Sequence, residues 1–235
     1  MILQAVRKDG ARGGGSVFSL RYIHDVSTSA HTGDLITRVC PHTSAIFLDS
    51  PDQQTLSKLP ALKILRRIKF NKVNYDLVLD TIGRLNYQIT VIELVSSKGS
   101  LDLCLLSHHC PNLQTLEIFY SQTVLLKAGK LKTLKCLKKC VVYSTKISGE
   151  ASMEIIQNSP VLEHLNLSSA TTLDNVTLAK IVMENQLHNL CELALMSAPL
   201  LNLDSIELLV RNDGYFIFIS REKQITRVFV LSADL

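Results

Sequence analysis

The sequence predicts an α/β fold of solenoid type: a curved parallel sheet inside, helices outside, and about seven to eight stacked units. Three observations predict it. A short apolar phrase recurs along the chain. Its copies are nearly evenly spaced. The stretches between copies carry the periodicity of helices.

The phrase is L-x-x-L-x-L. It reads LQTLEI from Leu113, LEHLNL from Leu162 and LCELAL from Leu190. Weaker copies are LRRIKF from Leu65, ITVIEL from Ile89 and LKKCVV from Leu137, and the outermost are TSAIFL from Thr43 and ITRVFV from Ile225. The steps between first positions are 22, 24, 24, 24, 25, 28 and 35 residues. Repeats of about 20–29 residues belong to the leucine-rich class, so the pattern reads as a leucine-rich-repeat solenoid. Within each copy the anchors alternate with other residues at a period of two, which makes a short strand with its anchors turned inward.

Taken in order, residues 1–35 stand apart. They hold Gly13, Gly14, Gly15 and the stretch VSTSAHTGD, and read as a flexible or irregular lead-in. The string GARGGGS lacks the Lys-Ser/Thr ending of a phosphate loop. Residues 36–235 form the repeat domain. Between its strands, YDLVLDTIGRL, SLDLCLLSHHC, EASMEIIQN and NVTLAKIVMEN place apolar residues on one helical face, with Ser148 and Asp174 where N-caps belong. The last unit, 202–235, is degenerate. It contains YFIFIS and ends soon after ITRVFV, so Phe216, Phe218, Phe229 and Val230 are expected to be less covered than central anchors.

Composition narrows the class. The chain has 235 residues, 46% of them hydrophobic, and a formal charge of +4, which is mild for a dedicated nucleic-acid binder. No apolar run reaches the roughly 18 residues of a membrane span, and the N-terminus lacks a signal-peptide core. A cytoplasmic location is expected, with the nucleus open. The six cysteines are then reduced, and their spacings form no paired C-x-x-C metal signature. The sequons at Asn166 and Asn175 are inert there.

The phrases HHCPNLQTLEI (108–118), NSPVLEHLNL (158–167), QLHNLCELAL (186–195) and KLPALKILRRI (58–68) resemble the repeats of F-box/leucine-rich-repeat proteins, within the ribonuclease-inhibitor-like class. In that family a helix ends in Cys-Pro-x-Leu before the strand, as in Cys110-Pro111-Asn112-Leu113. The resemblance covers residues 40–235. It implies substrate recognition for an SCF-type ubiquitin ligase, hence protein ubiquitination and proteasomal degradation. An F-box in a longer form would dock on the ligase adaptor. No F-box is visible here, because residues 1–35 are too short and Gly-rich. The chain is thus expected to be a fragment or isoform, or a repeat-only relative. The alternative is a stand-alone scaffold or inhibitor without a ligase link. A second departure is the polar ladder of the turns. Its positions read Val73, Ser97, Ser121, Thr145, Ala170 and Ala198, half of them hydroxyls that can bond backbone groups.

Catalysis is not expected, and neither is a cofactor or a metal. His108, His109 and Cys110 sit together, but Cys110 falls at a helix-to-strand corner where small apolar residues pack. Binding residues are sought instead among strand positions not used by the core, which face the concave side. Val95, Phe119 and Tyr143 occupy one column, Glu93 and Glu117 another, and Lys139 and His164 lie at the strand starts. Two neighbouring aromatics with charges beside them resemble an interface core with a polar rim. The expected partner is therefore a protein on the concave face. A membrane is not expected, and nucleic acid is disfavoured. Basic residues also cluster, at Lys63, Arg66, Arg67, Lys69 and Lys72 and at Lys127, Lys130, Lys132, Lys135, Lys138 and Lys139. Such a cluster reads as a solvated face, or as a contact for phosphate or an acidic protein.

Overall fold

The structure is a computed structural model that describes residues 2–4, 22–24, 42–85, 88–127, 129–167, 174–183, 189–195 and 216–218. Most of the predicted lead-in, 1–35, lies outside these residues, as do most of 202–235, Phe229 and Val230 among them. Val73, Ser97, Ser121 and Thr145 of the turn positions are described, whereas Ala170 and Ala198 are not.

The architecture is α/β. The strands are β1 (Ile2–Gln4), β2 (Tyr22–His24), β3 (Ala45–Asp49), β4 (Arg67–Asn71), β5 (Val91–Val95), β6 (Ser100–Asp102), β7 (Thr115–Phe119), β8 (Thr123–Leu125), β9 (Lys139–Tyr143), β10 (Lys146–Ile147), β11 (His164–Leu167), β12 (Glu192–Ala194) and β13 (Phe216–Phe218). The main sheet runs β1-β2-β3-β4-β5-β7-β9-β11-β12-β13 and does not close into a barrel. Among the described strands of this sheet β1–β2 is antiparallel, and from β2 to β13 every pairing is parallel. A smaller parallel sheet, β10-β8-β6, lies where the chain leaves the central strands.

Alternation builds the core. In β4, β5, β7 and β9 the second and fourth residues are buried: Ile68 and Phe70, Ile92 and Leu94, Leu116 and Ile118, Cys140 and Val142. The anchors that precede each strand, Leu65, Ile89, Leu113, Leu137, Leu162 and Leu190, are buried with them in one continuous cluster. Every phrase read as a strand, from TSAIFL to LCELAL, is one. Among the described residues one more strand follows β12. The strand after β12 is Phe216–Phe218, whose first residue pairs with Glu192 at a step of 24. ITRVFV lies outside the described residues. The aromatic run YFIFIS supplies the β-propensity, and the shorter step matches the central spacing.

Among the described residues five α-helices alternate with the strands: α1 (Gln53–Lys58), α2 (Tyr75–Gly83), α3 (Leu103–His109), α4 (Gly149–Gln157) and α5 (Asn175–Met183). Each begins at a side chain that accepts a first-turn amide. Asp52 accepts from Thr55, Asn74 from Asp76, Asp102 from Cys104, Ser148 from Ala151 and Asp174 from Thr177. These amide bonds hold the carboxyls of Asp52 and Asp174 below their ordinary range. The stretch SLDLCLLSHHC is therefore strand first and helix second, because Asp102 ends β6 and caps α3. Gly83, the last residue of α2, lets the His109 ring approach closely; a Cβ there would lie 3.1 Å from the ring.

Candidate functional site

The candidate site is built on the sheet face opposite the core, by the first, third and fifth residues of each strand. Cross-strand register sets which of them are neighbours. Val95 pairs with Phe119, and Phe119 with Tyr143. At about 4.8 Å per strand these three side chains span about 10 Å. All three are half-buried rather than open. The middle column runs Phe47, Lys69, Glu93, Glu117, Val141, Asn166 and Ala194. The first column places Lys139 beside His164, and His164 beside Glu192.

The charges of this face neutralise one another. Lys69 meets Glu93 at 2.9 Å, and Lys139 meets Glu117 at 2.7 Å. His164 Nδ1 lies 3.1 Å from Glu192. Lys69 also stands over the Phe47 ring, 5.6 Å from its centre. At the strand starts Lys138 donates to Glu163 at 2.7 Å. That bond raises the Lys138 ammonium above its ordinary value and lowers the Glu163 carboxyl below its own. Such pairs are solvent-accessible, so each contributes little to stability but fixes side-chain positions.

The structure thus brings all seven predicted residues onto one face. Glu117 and Lys139 form a pair, whereas Glu93 pairs with Lys69, and His164 with Glu192. Neither Lys69 nor Glu192 was singled out as a site residue. One further residue was missed. Tyr120 follows Phe119, is 62% exposed and packs edge-on against Tyr143 with ring centres 5.6 Å apart. It occupies a left-handed position, φ 52°, that recurs after β3, β4, β5, β7 and β9 at Ser50, Lys72, Ser96, Tyr120 and Ser144. Among small or charged residues at that position, a tyrosine is the odd one, and this oddity was legible in the alignment of copies.

The turn behind each of these residues is held by a hydroxyl. Ser97, Ser121 and Thr145 are buried. Each donates to the carbonyl of the last strand residue, Val95, Phe119 and Tyr143 respectively. The Ser121 hydroxyl accepts from the Ser97 amide at 3.1 Å, and the Thr145 hydroxyl from the Ser121 amide at 3.0 Å. This ladder positions the fifth residues, and with them the Val95–Phe119–Tyr143 row.

Other chemistry finds less support. The Cys110 and Cys140 thiols are fully buried and pushed up to about 12 by that burial, which disfavours the reactive thiolate. His109, beside Cys110, is held below the ordinary histidine value by burial and by His108. No cluster of three metal-ligating side chains occurs among the described residues. No helix among them is long and apolar enough to cross a membrane. At the strand starts an open hollow of about 640 Å³ is lined by Gln114, Lys138, Glu163 and Cys191, and by residues of the loops before them. Comparison of the chain with protein-family models and with curated proteins finds no match.

Proposed function

We propose that the chain is a leucine-rich-repeat solenoid that holds a protein partner on its concave face, and that this partner is a substrate presented to an SCF-type ubiquitin ligase. The observation that carries the binding reading is the aromatic row. Val95, Phe119 and Tyr143 lie side by side with Tyr120 against the last, and the neighbouring charges are already paired. An apolar, aromatic centre with a satisfied polar border is the composition of an interface core. The near-constant strand step supports the solenoid reading, because units of this length stack through one shared core. The ligase step rests on the resemblance of phrases such as HHCPNLQTLEI to F-box/leucine-rich-repeat proteins.

A photo-crosslinking residue at Tyr143 identifies the partner in cells. Phe119→Ala combined with Tyr143→Ala should then weaken binding of that partner by about 2 kcal/mol or more. The urea midpoint should fall by much less than that of a core truncation. A normal affinity in a folded double variant places the partner elsewhere. For the ligase step, the partner's half-life should lengthen when the chain is depleted and when the proteasome is inhibited. An unchanged half-life in both conditions removes the ligase link and leaves a scaffold or inhibitor.

A further inference from the structure

The chain enters β9, β11 and β12 in the same way each time. Leu137, Leu162 and Leu190 are buried anchors, and the residues on either side of each are less covered. Cys136, Val161 and Asn189 thus form one row, and Lys138, Glu163 and Cys191 the next, with Gln114 before β7 extending the second. Main-chain bonds fix that second row. The Lys138 amide donates to the Gln114 carbonyl at 2.9 Å, the Glu163 amide to Lys138 at 2.8 Å and the Cys191 amide to Glu163 at 2.7 Å. The Asn189 side chain donates to the Pro160 carbonyl at 2.6 Å and ties the last two loops together. With Lys135, these residues line the open hollow of about 640 Å³. That volume falls within the roughly 300–1,000 Å³ of small-molecule sites.

Two thiols line this hollow. Cys136 is half-buried and Cys191 is exposed. Cys110 and Cys140 are sealed in the core, and Cys104 on α3 is half-buried and donates to the Gly129 carbonyl at 3.4 Å. Among the described cysteines Cys191 is therefore the one open to solvent, and its thiol reaches the Asn189 carbonyl only at 3.7 Å. Charge accompanies the thiols. Lys135 makes no ion pair with a carboxylate among the described residues, whereas Lys138 is held by Glu163 of the same hollow. Glu192, next to Cys191, is engaged by His164. Two ammonium groups against one carboxylate leave the lining with an excess of positive charge.

We propose that the hollow is a modification site, where Cys191 forms a mixed disulfide with a small disulfide that carries carboxylates. The Cys191 sulfur gives its proton to water and attacks one sulfur of the bound disulfide. A new S–S bond joins Cys191 to that half as the old S–S bond breaks. The other half leaves with the electron pair and takes a proton from water, so Cys191 is oxidised and the departing thiol is the reduced product. Lys135 and Lys138 draw the carboxylates into the hollow and raise the local concentration of the reagent. A neutral disulfide lacks that attraction, and a cationic one is repelled. The site stands at the strand starts, away from the Phe119–Tyr143 row, and does not depend on that reading.

The test is mass spectrometry of the full, reduced chain treated with three disulfides: oxidised glutathione, which is anionic, bis(hydroxyethyl) disulfide, which is neutral, and cystamine, which is cationic. Peptide mapping reads the rate of adduct formation at Cys191, divided by the rate of the same reagent with a free cysteine peptide. These normalised rates should fall in that order. The rate with oxidised glutathione should level off as its concentration rises, because binding in the hollow precedes exchange, and dithiothreitol should remove the adduct. In Lys135→Gln/Lys138→Gln the preference for the anionic over the neutral reagent should shrink by about threefold or more, and added salt should shrink it likewise. Labelling of Cys110 and Cys140 marks a variant that has lost its fold; Lys135→Gln alone, with a smaller expected loss, then takes its place. Absence of an adduct at Cys191 overturns the proposal, as do equal normalised rates for the three reagents. A rate proportional to concentration throughout, or a preference unchanged in the lysine variants, overturns it equally.

Discussion

The turns that follow β5, β7 and β9 and those that follow β3 and β4 share a backbone and differ in chemistry. In both groups the first turn residue is left-handed, and after β3, β4, β5 and β7 its amide donates to the carbonyl of the last residue of the next strand. Ser50 reaches Asn71, Lys72 reaches Val95, Ser96 reaches Phe119 and Tyr120 reaches Tyr143. The second turn residue separates the groups. After β5, β7 and β9 it is Ser97, Ser121 or Thr145, a buried residue whose hydroxyl donates to the last strand carbonyl; the Ser121 and Thr145 hydroxyls also accept an amide. After β3 and β4 it is Pro51 or Val73, and the polar contact moves to the sheet face. There Asn71 donates to Asp49 at 2.6 Å and Lys72 approaches the same carboxylate at 4.0 Å. The strand spacing sets the turn; the side chain at its second position decides whether the second amide of the preceding turn finds a hydroxyl acceptor.

The largest effect is expected from a change that undermines both groups. Leu116, buried on β7 between β5 and β9, belongs to the core that all these strands share. Leu116→Ala should cost about 2–5 kcal/mol through lost burial and a residual cavity, read as a lower urea midpoint. An unchanged midpoint would remove the strand assignment itself. The comparison is sharpened next by Ser121→Ala, which leaves the buried Ser97 amide without its acceptor and should cost about 1–3 kcal/mol. Asn71→Ala, on the accessible side, should cost about 1 kcal/mol or less. Equal losses would erase the distinction between the two groups.

Smaller effects probe the left-handed position. Ser144 has φ 48° and Tyr120 φ 52°, a region costly for residues with a Cβ. Ser144→Gly should gain up to about 1 kcal/mol. Tyr120→Gly should gain less, because the edge-on contact with Tyr143, worth about 0.5–1.5 kcal/mol, is lost. Thermal melts compare the two, and an equal gain would show that the ring pair adds nothing.

The smallest effect is a dependence on pH. His109 is depressed below the ordinary histidine value in the fold, so the unfolded chain takes up the proton first as pH falls. Its contribution is complete above the unfolded value of about 6.5 and is lost on acidification below it. The fall in melting temperature between pH 7.5 and 5.5 should therefore be smaller in His109→Gln. An identical fall would assign the dependence to other groups.

Much of the site was legible because a strand alternates sides at a period of two. Once the copies of L-x-x-L-x-L were aligned, Val95, Phe119 and Tyr143 had to share a column, and pairing to successive strands places them together. The same spacing exposed Ser97, Ser121 and Thr145 as one row, and the caps Ser148 and Asp174 could be read from residue type and position. Tyr120 escaped because it falls between the column and the hydroxyl row, at the one residue whose backbone leaves the strand.

What the amino-acid sequence determined by itself was local and periodic: which residues are anchors, where strands and helices begin, and which side chains share a face. Tertiary structure alone decided the rest. Glu117 takes Lys139 while Glu93 takes Lys69, because ion pairs follow register and side-chain reach across strands. Phe216–Phe218 is the segment that pairs with β12, a partnership that only packing decides. The described residues of 126–138 form no helix although leucines fall at a spacing of three, because groups of α3, its cap Asp102 and the end of α4 take their amides from both sides. Each of these outcomes depends on groups 22 residues or more away in the chain, brought near by stacking. A periodic pattern states what each strand presents, and only packing states what it meets.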